Sequence, residues 1–439
     1  MDPTLLGILA IIGFGVLLAL GTPIAISFLI AGLAVCVVII GLGPALSLLG
    51  ETLYYSIAVP SFAALPLFIL MGAFAVRGGH ARRAFDAVQK IASGLPGSLA
   101  ITTCFGSAAF GTVSGSSLAT AAIFGRIALP EMERYGYKRS LAAGCVAAAG
   151  TFAAMIPPSG LFIVYAIFTD QSVGKLFMAG IIPGLITAVV YSLSIIIRVR
   201  RNPELAPTVI TEKRITWRDR LLSLRQMWAI FLLALIVLGG IYAGIFSPTE
   251  AAAAGAIATL VLGLLQGNIR RLSVVSEALG ESAQTTAMVF LIIVGALFFS
   301  RILALTGIPT QLTLLIQGWD VPRIVVLMSV LGLWFFLGMI IISTGIFALT
   351  LPIIFPIMLS LGYDPIWFGV IALKLCEIAA VTPPVGLNVY ALKGVAEGIK
   401  LEEIFAGIIP FVICDIIVLV FLVAFPQISL FLPNLMLGG

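Results

Sequence analysis

Apolar runs follow one another along this 439-residue chain with few polar intervals. Thr4 to Leu20 and Trp228 to Phe246 contain no charged residue, and as helices they approach the length needed to cross a hydrocarbon core of about 30 Å. Because backbone groups must be satisfied internally in lipid, such a pattern predicts an all-α polytopic membrane protein. One stretch breaks it: about 200 to 226 is hydrophilic and carries Arg200, Arg201, Lys213, Arg214, Arg218, Arg220 and Arg225.

The pattern also repeats. A shift of 226 positions lays Pro96, Ser117, Pro130, Gly136, Tyr137, Pro157, Pro158 and Gly160 on Pro322, Ser343, Pro356, Gly362, Tyr363, Pro383, Pro384 and Gly386. One register later, Gly180-Ile-Ile-Pro183 recurs as Gly407-Ile-Ile-Pro410. Paired Pro/Gly-interrupted apolar segments in two halves of a membrane protein point to a transporter whose site lies where the halves meet.

Positive charges set the expected orientation. Spans at about 4 to 21, 23 to 42 and 53 to 76 precede Arg77, Arg82, Arg83 and Lys90, which puts the first residues outside. Arg126, Arg134, Lys138 and Arg139 stay inside only if 95–130 enters the membrane and returns as a hairpin. Lys393 and Lys400 require a second hairpin at 322–356, entered from the opposite face, after spans at about 226 to 246, 248 to 266 and 284 to 300. This arrangement places 20 of the 24 Lys and Arg residues inside, all but Lys175, Arg301, Arg323 and Lys374. The expected division is N-terminal scaffold spans 1–52 and a first repeat 53–199 with a broken helix 139–168. The linker 200–226 and scaffold spans 227–266 lead to a second repeat 267–425, with a broken helix 366–392, and a tail 426–439. The repeats form an inverted-topology pair, each with a re-entrant helical hairpin and a broken transmembrane helix.

Candidate chemistry gathers at the interruptions. Gly111-Thr-Val-Ser-Gly-Ser-Ser117 lies mid-hairpin, where its glycines permit a tight turn and its hydroxyls and freed carbonyls suit a small hard cation such as Na⁺; the same residues also suit a close helix-packing face. Ile156-Pro-Pro-Ser-Gly160 removes backbone donors mid-span and frees carbonyls from Gly150 to Ile156. The break recurs as Thr382-Pro-Pro-Val-Gly386, again 40 residues beyond a hairpin serine, Ser343. The second tip, Ile341-Ile-Ser-Thr-Gly345, has fewer hydroxyls. Thr151, Tyr165, Asn388 and Tyr390 add polar groups, and half-helix N-termini favour an anionic group between them. Glu250, Lys374, Glu377 and Asp415 stand in or near spans and are functional candidates by default. Lys374 and Glu377 also fit a neutralising pair one turn apart.

Charge and rare residues exclude other classes. A formal net charge of +5 is dispersed over short loops, so no nucleic-acid surface is expected. His80 is the only histidine and sits in an Arg-rich loop that reads as an interfacial amphipathic helix from 80 to 92, so no Ser-His dyad or His-based metal site is expected and the protein is not read as an enzyme. Cys36, Cys104, Cys145, Cys376 and Cys414 lie in apolar stretches and read as small core residues. Met1-Asp2-Pro3 lacks a basic n-region, and no cleaved signal peptide is expected.

Taken together, Phe110-Gly-Thr-Val-Ser-Gly-Ser-Ser117, Ala128-Leu-Pro-Glu-Met132, Gly136-Tyr137, Gly150-Thr151 with Ile156-Pro-Pro-Ser159, and Thr382-Pro-Pro-Val-Gly-Leu-Asn-Val-Tyr390 resemble the large membrane subunit of tripartite ATP-independent periplasmic (TRAP) transporters along essentially the whole chain. The resemblance implies a scaffold carrying a mobile elevator domain of two hairpins and two broken helices in a bacterial inner membrane. It implies a small four-helix membrane partner, a periplasmic substrate-binding protein, contact with membrane lipid, and sodium-coupled import of a small organic anion. It places one Na⁺ among Ser114, Gly115, Ser116, Gly150, Ala153, Ile156 and Pro157, and another among Ser343, Thr344, Gly345, Ala379, Thr382 and Pro383. Substrate contacts fall to Ser117, Ser159, Thr344 and Asn388. Ser343 stands where the family pattern often has an acidic residue, a departure at the second tip. A self-sufficient sodium/dicarboxylate symporter acting as a homodimer is the alternative.

Overall fold

The computed structural model describes residues 2–207, 216–318, 321–396 and 398–436; Lys213 and Arg214 of the basic linker lie outside them. Among the described residues every regular element is a helix. Seven are long and apolar enough to cross a membrane: Pro60–Arg77, Val173–Arg201, Trp217–Tyr242, Pro248–Leu265, Leu272–Thr306, Ser343–Ser360 and Leu401–Ala424.

The repeat seen in the residues is a repeat of elements. In the first half a hairpin of Ser98–Ser114 and Ser117–Arg134 leads to Arg139–Ala153, an interruption, Gly160–Thr169 and the long Val173–Arg201. In the second half Arg323–Gly338 and Ser343–Ser360 lead to Pro365–Ala379, an interruption, Leu387–Lys393 and Leu401–Ala424. The prolines explain both interruptions, since neither can donate to the helical ladder. At the first, the N–H groups of Met155 and Ile156 both turn to the Phe152 carbonyl. The ladder resumes where Ser159 caps Gly160–Thr169, its Oγ accepting from Phe162 N at 3.5 Å.

The halves interlock. Leu401–Ala424 crosses Arg139–Ala153 at Gly144 and Gly407, so closely that a Cβ on Gly144 would lie 2.4 Å from the Gly407 carbonyl oxygen. Small residues permit that backbone approach. Tyr165, after the first interruption, donates its hydroxyl to the Pro365 carbonyl of the second half at 2.7 Å. Within the second hairpin Trp334 Nε1 donates to Thr350 Oγ1 at 2.8 Å and ties the arms together.

Several expectations change. A helix not expected, Leu42–Tyr55, fills the interval between the second and third apolar segments and takes in the first residues of the third, whose span begins only at Pro60, after the break at Ile57-Ala-Val-Pro60. The segment expected at 284 to 300 is part of the 35-residue helix Leu272–Thr306, and Ile308–Gly318 and Gln427–Leu435 are further helices in segments read as loop and tail. Glu250 is exposed on the protein and completes the capping box of Pro248–Leu265, its carboxylate accepting from Ser247 N at 2.8 Å. His80–Ala92 is amphipathic as expected, but Ala84, Phe85, Ala87 and Val88 are buried against protein rather than presented to lipid. Ser223 Oγ and Arg220 Nη2 from the linker donate to the carbonyls of Ala87 and Ser93 and hold it there.

Candidate functional site

Both hairpin tips and both interruptions open onto one cavity of about 330 Å³, within the size range of small-molecule sites. Ser114, Gly115, Ser116 and Ser117 reach it from the first tip, and Ser343 and Thr344 from the second. Ala154, Pro158 and Gly160 line it from the first interruption, and Ala380, Leu387 and Asn388 from the second. Helix Ala64–Arg77 contributes Leu65, Phe68 and Gly72, and the long helix Leu272–Thr306 contributes Glu281, Ser282 and Thr285.

The first tip is wedged between its neighbours. Gly115 has φ +60°, a left-handed conformation that favours glycine, and a Cβ there would lie 2.1 Å from the Pro158 carbonyl oxygen. Behind it, Gly150 approaches Ser117, and on the other side Gly72 approaches Ser114: a Cβ on either would meet the serine carbonyl oxygen at 2.7 and 2.8 Å. Two of the serines serve the turn itself. Ser114 Oγ shares a hydrogen bond of 3.0 Å with Thr120 Oγ1, and Ser116 Oγ caps Ser117–Arg134 by accepting from Ala119 N at 3.3 Å.

The other candidates sit at varying distance from the cavity wall. Ser117, Thr344 and Asn388 line it; Ser159 is fully buried as a helix cap. Ala153 backs the first hairpin arm at Gly111, Gly150 lies against Ser117, and Ile156 packs on Gly184 of Val173–Arg201. In the second half Gly345 turns toward Ile24, Ala379 packs on Gly338, Pro383 is exposed, and Thr382 donates its hydroxyl to the Ile378 carbonyl at 2.7 Å.

The charges rearrange most. Lys374 is paired with Asp415, not with Glu377: Nζ lies 2.5 Å from Asp415 Oδ1 and 3.1 Å from Thr187 Oγ1, and Tyr191 OH donates to Asp415 Oδ2 at 2.6 Å. Helix Pro365–Ala379 is buried on all sides, so the partner of Lys374 is supplied by a neighbouring helix rather than by Glu377. Glu377 turns to the cavity, where Ser117 Oγ donates to its Oε1 at 3.3 Å. Its Oε2 and both amide atoms of the fully buried Asn388 have no hydrogen-bond partner. Glu281, the other acid on the wall, pairs with Arg77 at 2.8 Å. Among the described residues no lysine, arginine or histidine lines the cavity.

A chamber between paired hairpin tips and interrupted helices is the arrangement of a membrane transporter. The chain belongs to the family of the tripartite ATP-independent periplasmic transporter, DctM component, whose family model matches residues 11–428. It is 37% identical over 374 residues to the C4-dicarboxylate TRAP transporter large permease protein DctM of Pseudomonas aeruginosa, covering 84% of this chain and 86% of that one. It is 33% identical over 422 residues to the ectoine/5-hydroxyectoine TRAP transporter large permease protein UehC of Ruegeria pomeroyi, covering 96% and 97%. Among solved structures it is similar in fold to the Alcanivorax borkumensis YdaH transporter, described as having an unusual topology, with a TM-score of 0.63 and 15% identity over 97% of this chain and 98% of that one.

Proposed function

We propose that this chain is the translocating subunit of a sodium-coupled secondary importer of small organic acids, carboxylates or sulfonates, in the bacterial inner membrane. It receives its cargo from a periplasmic substrate-binding protein and works beside a small four-helix membrane subunit. Two Na⁺ ions bind where each hairpin tip meets the neighbouring interruption, at Ser114 to Ser116 with the carbonyl layer behind them, and at Ser343 and Thr344. The halves are inverted repeats, and their hairpins and broken helices move together against the remaining spans as an elevator.

The observation that carries this reading is the convergence of both tips and both interruptions on one cavity. Hydroxyl and carbonyl oxygens are ligands that small hard cations accept, and irregular backbone at membrane depth is tolerated where it lines such a chamber. The similarity to permeases named for C4-dicarboxylates and ectoine supports an organic-acid class without choosing a member of it. Replacing Ser114 and Ser116 with Ala should abolish sodium-dependent uptake of the cargo in cells carrying the whole system; undiminished uptake would remove the first tip from the ion site. Purification in mild detergent should bring down a small membrane subunit in equal amount, whereas a lone or homodimeric chain would favour a self-sufficient symporter.

A further inference from the structure

Among the described residues, Glu377 is the one acid on the cavity wall without a salt-bridge partner within 4.0 Å. Glu281 has Arg77 at 2.8 Å, and Lys374, one turn from Glu377, is held by Asp415 at 2.5 Å. Glu377 is 1% exposed, receives one hydrogen bond, from Ser117, and leaves Oε2 unpartnered. Asn388, 0% exposed on the same wall, leaves its amide oxygen and nitrogen unpartnered as well. An ionised carboxylate out of water costs several kcal/mol unless an opposite charge meets it, and buried amide groups are normally hydrogen-bonded. No basic side chain among the described residues lines the wall beside them, and a cation in the cavity would meet both groups.

We propose that Glu377, Asn388 and Ser117 form a cation-binding subsite, separate from the two tip sites. Oε2 of Glu377 and Oδ1 of Asn388 are its acceptors, and the Ser117 hydroxyl orients the carboxylate. A cation of this chemistry has two sources: Na⁺ travelling with the cargo, or an ammonium or amidinium nitrogen on a zwitterionic cargo. The inference rests on the transport reading above, since it takes the chamber to be the one the cargo occupies.

Thermal unfolding of the purified full-length chain tests it, with NaCl exchanged for choline chloride at constant ionic strength, and separately with β-alanine, γ-aminobutyrate or succinate. The wild-type chain should be stabilised by NaCl or by the amino acids, and any response to succinate as its choline salt should be the same in Glu377→Gln. Glu377→Gln, which keeps size and removes charge, should raise the half-effective concentration at least about tenfold, the loss expected of a charge-assisted contact. Asn388→Asp, which adds a second negative ligand, should lower it, and guards against a Gln variant that fails to fold. A response to NaCl assigns the alkali ion, and a response to the amino acids assigns the cargo nitrogen. No response in the wild-type chain, or equal responses in wild type and both variants, overturns the subsite. Ser114→Ala with Ser116→Ala reports on the tip separately: an intact Glu377-dependent response there, with sodium-dependent uptake also intact, sinks the tip site and leaves this one standing.

Discussion

Gly115 offers the sharpest test of how the first tip is held. With Ala there, two effects add. A side chain at φ +60° costs about 1–2 kcal/mol, and its Cβ would start 2.1 Å from the Pro158 carbonyl oxygen, where ordinary contact begins at 3.4 Å. The difference must be absorbed by the tip or the interruption moving by more than an ångström, and both are backbone. Binding geometry tolerates about 0.5 Å. Gly362 isolates the first effect, because it has φ +76° and nothing within 4 Å of its would-be Cβ. Gly362→Ala should lower stability by about 1–2 kcal/mol and leave uptake near wild type. Gly115→Ala should lower stability at least as much and abolish uptake. The assay is cargo uptake by cells carrying the whole system, normalised to membrane-inserted protein, beside thermal unfolding in detergent. Equal uptake by the two variants would refute the claim that the tip works through contact with the interruption.

Asp415→Asn leaves the Lys374 ammonium buried without its counter-charge, and should cost about 3–5 kcal/mol in detergent unfolding; Lys374→Met with Asp415→Leu should restore most of that loss. Burial and the Arg83 charge hold His80 low, at about 4 against an ordinary 6.5. The unfolded chain therefore binds the extra proton, and the stability present above pH 6.5 falls as pH drops to about 4, by about 3 kcal/mol in all. His80→Leu should flatten the corresponding part of a detergent unfolding-pH curve, and an unchanged slope would place the pH sensitivity elsewhere. Tyr165→Phe removes the hydroxyl bond to Pro365 and should cost about 1 kcal/mol, read as a lower unfolding temperature.

Much of the fold could be read from residues whose effect is local. Proline pairs break a helix wherever they fall, and recurring Pro and Gly positions put hairpins and interruptions where they are found. Ser114 to Ser117, Thr344 and Asn388 were identifiable as candidates for the same reason: polar residues at a break in an apolar run stand out. Helices Leu42–Tyr55, Ile308–Gly318 and Gln427–Leu435 were not, because apolar composition alone does not divide one long run into two elements or raise a short run above loop. The partner of Lys374 was hidden for a different reason. A spacing of i and i+3 pairs charges on a helix surface, but Pro365–Ala379 has no exposed surface, so its contacts were decided by Val173–Arg201 and Leu401–Ala424. Glu377 stood out as a charge in a span; that it faces the cavity followed only from that packing.

The Lys374–Asp415–Tyr191 cluster has a mechanical side. It joins helices Pro365–Ala379, Val173–Arg201 and Leu401–Ala424 at one buried point. Sliding any of these helices past the others would open the ion pair at about 3–5 kcal/mol, which confines such slipped states to roughly one molecule in 10² to 10⁴. The three helices therefore hold together as one stiff body, and the proposed elevator would have to carry Val173–Arg201 and Leu401–Ala424 along with the hairpins and broken helices, with its hinges elsewhere.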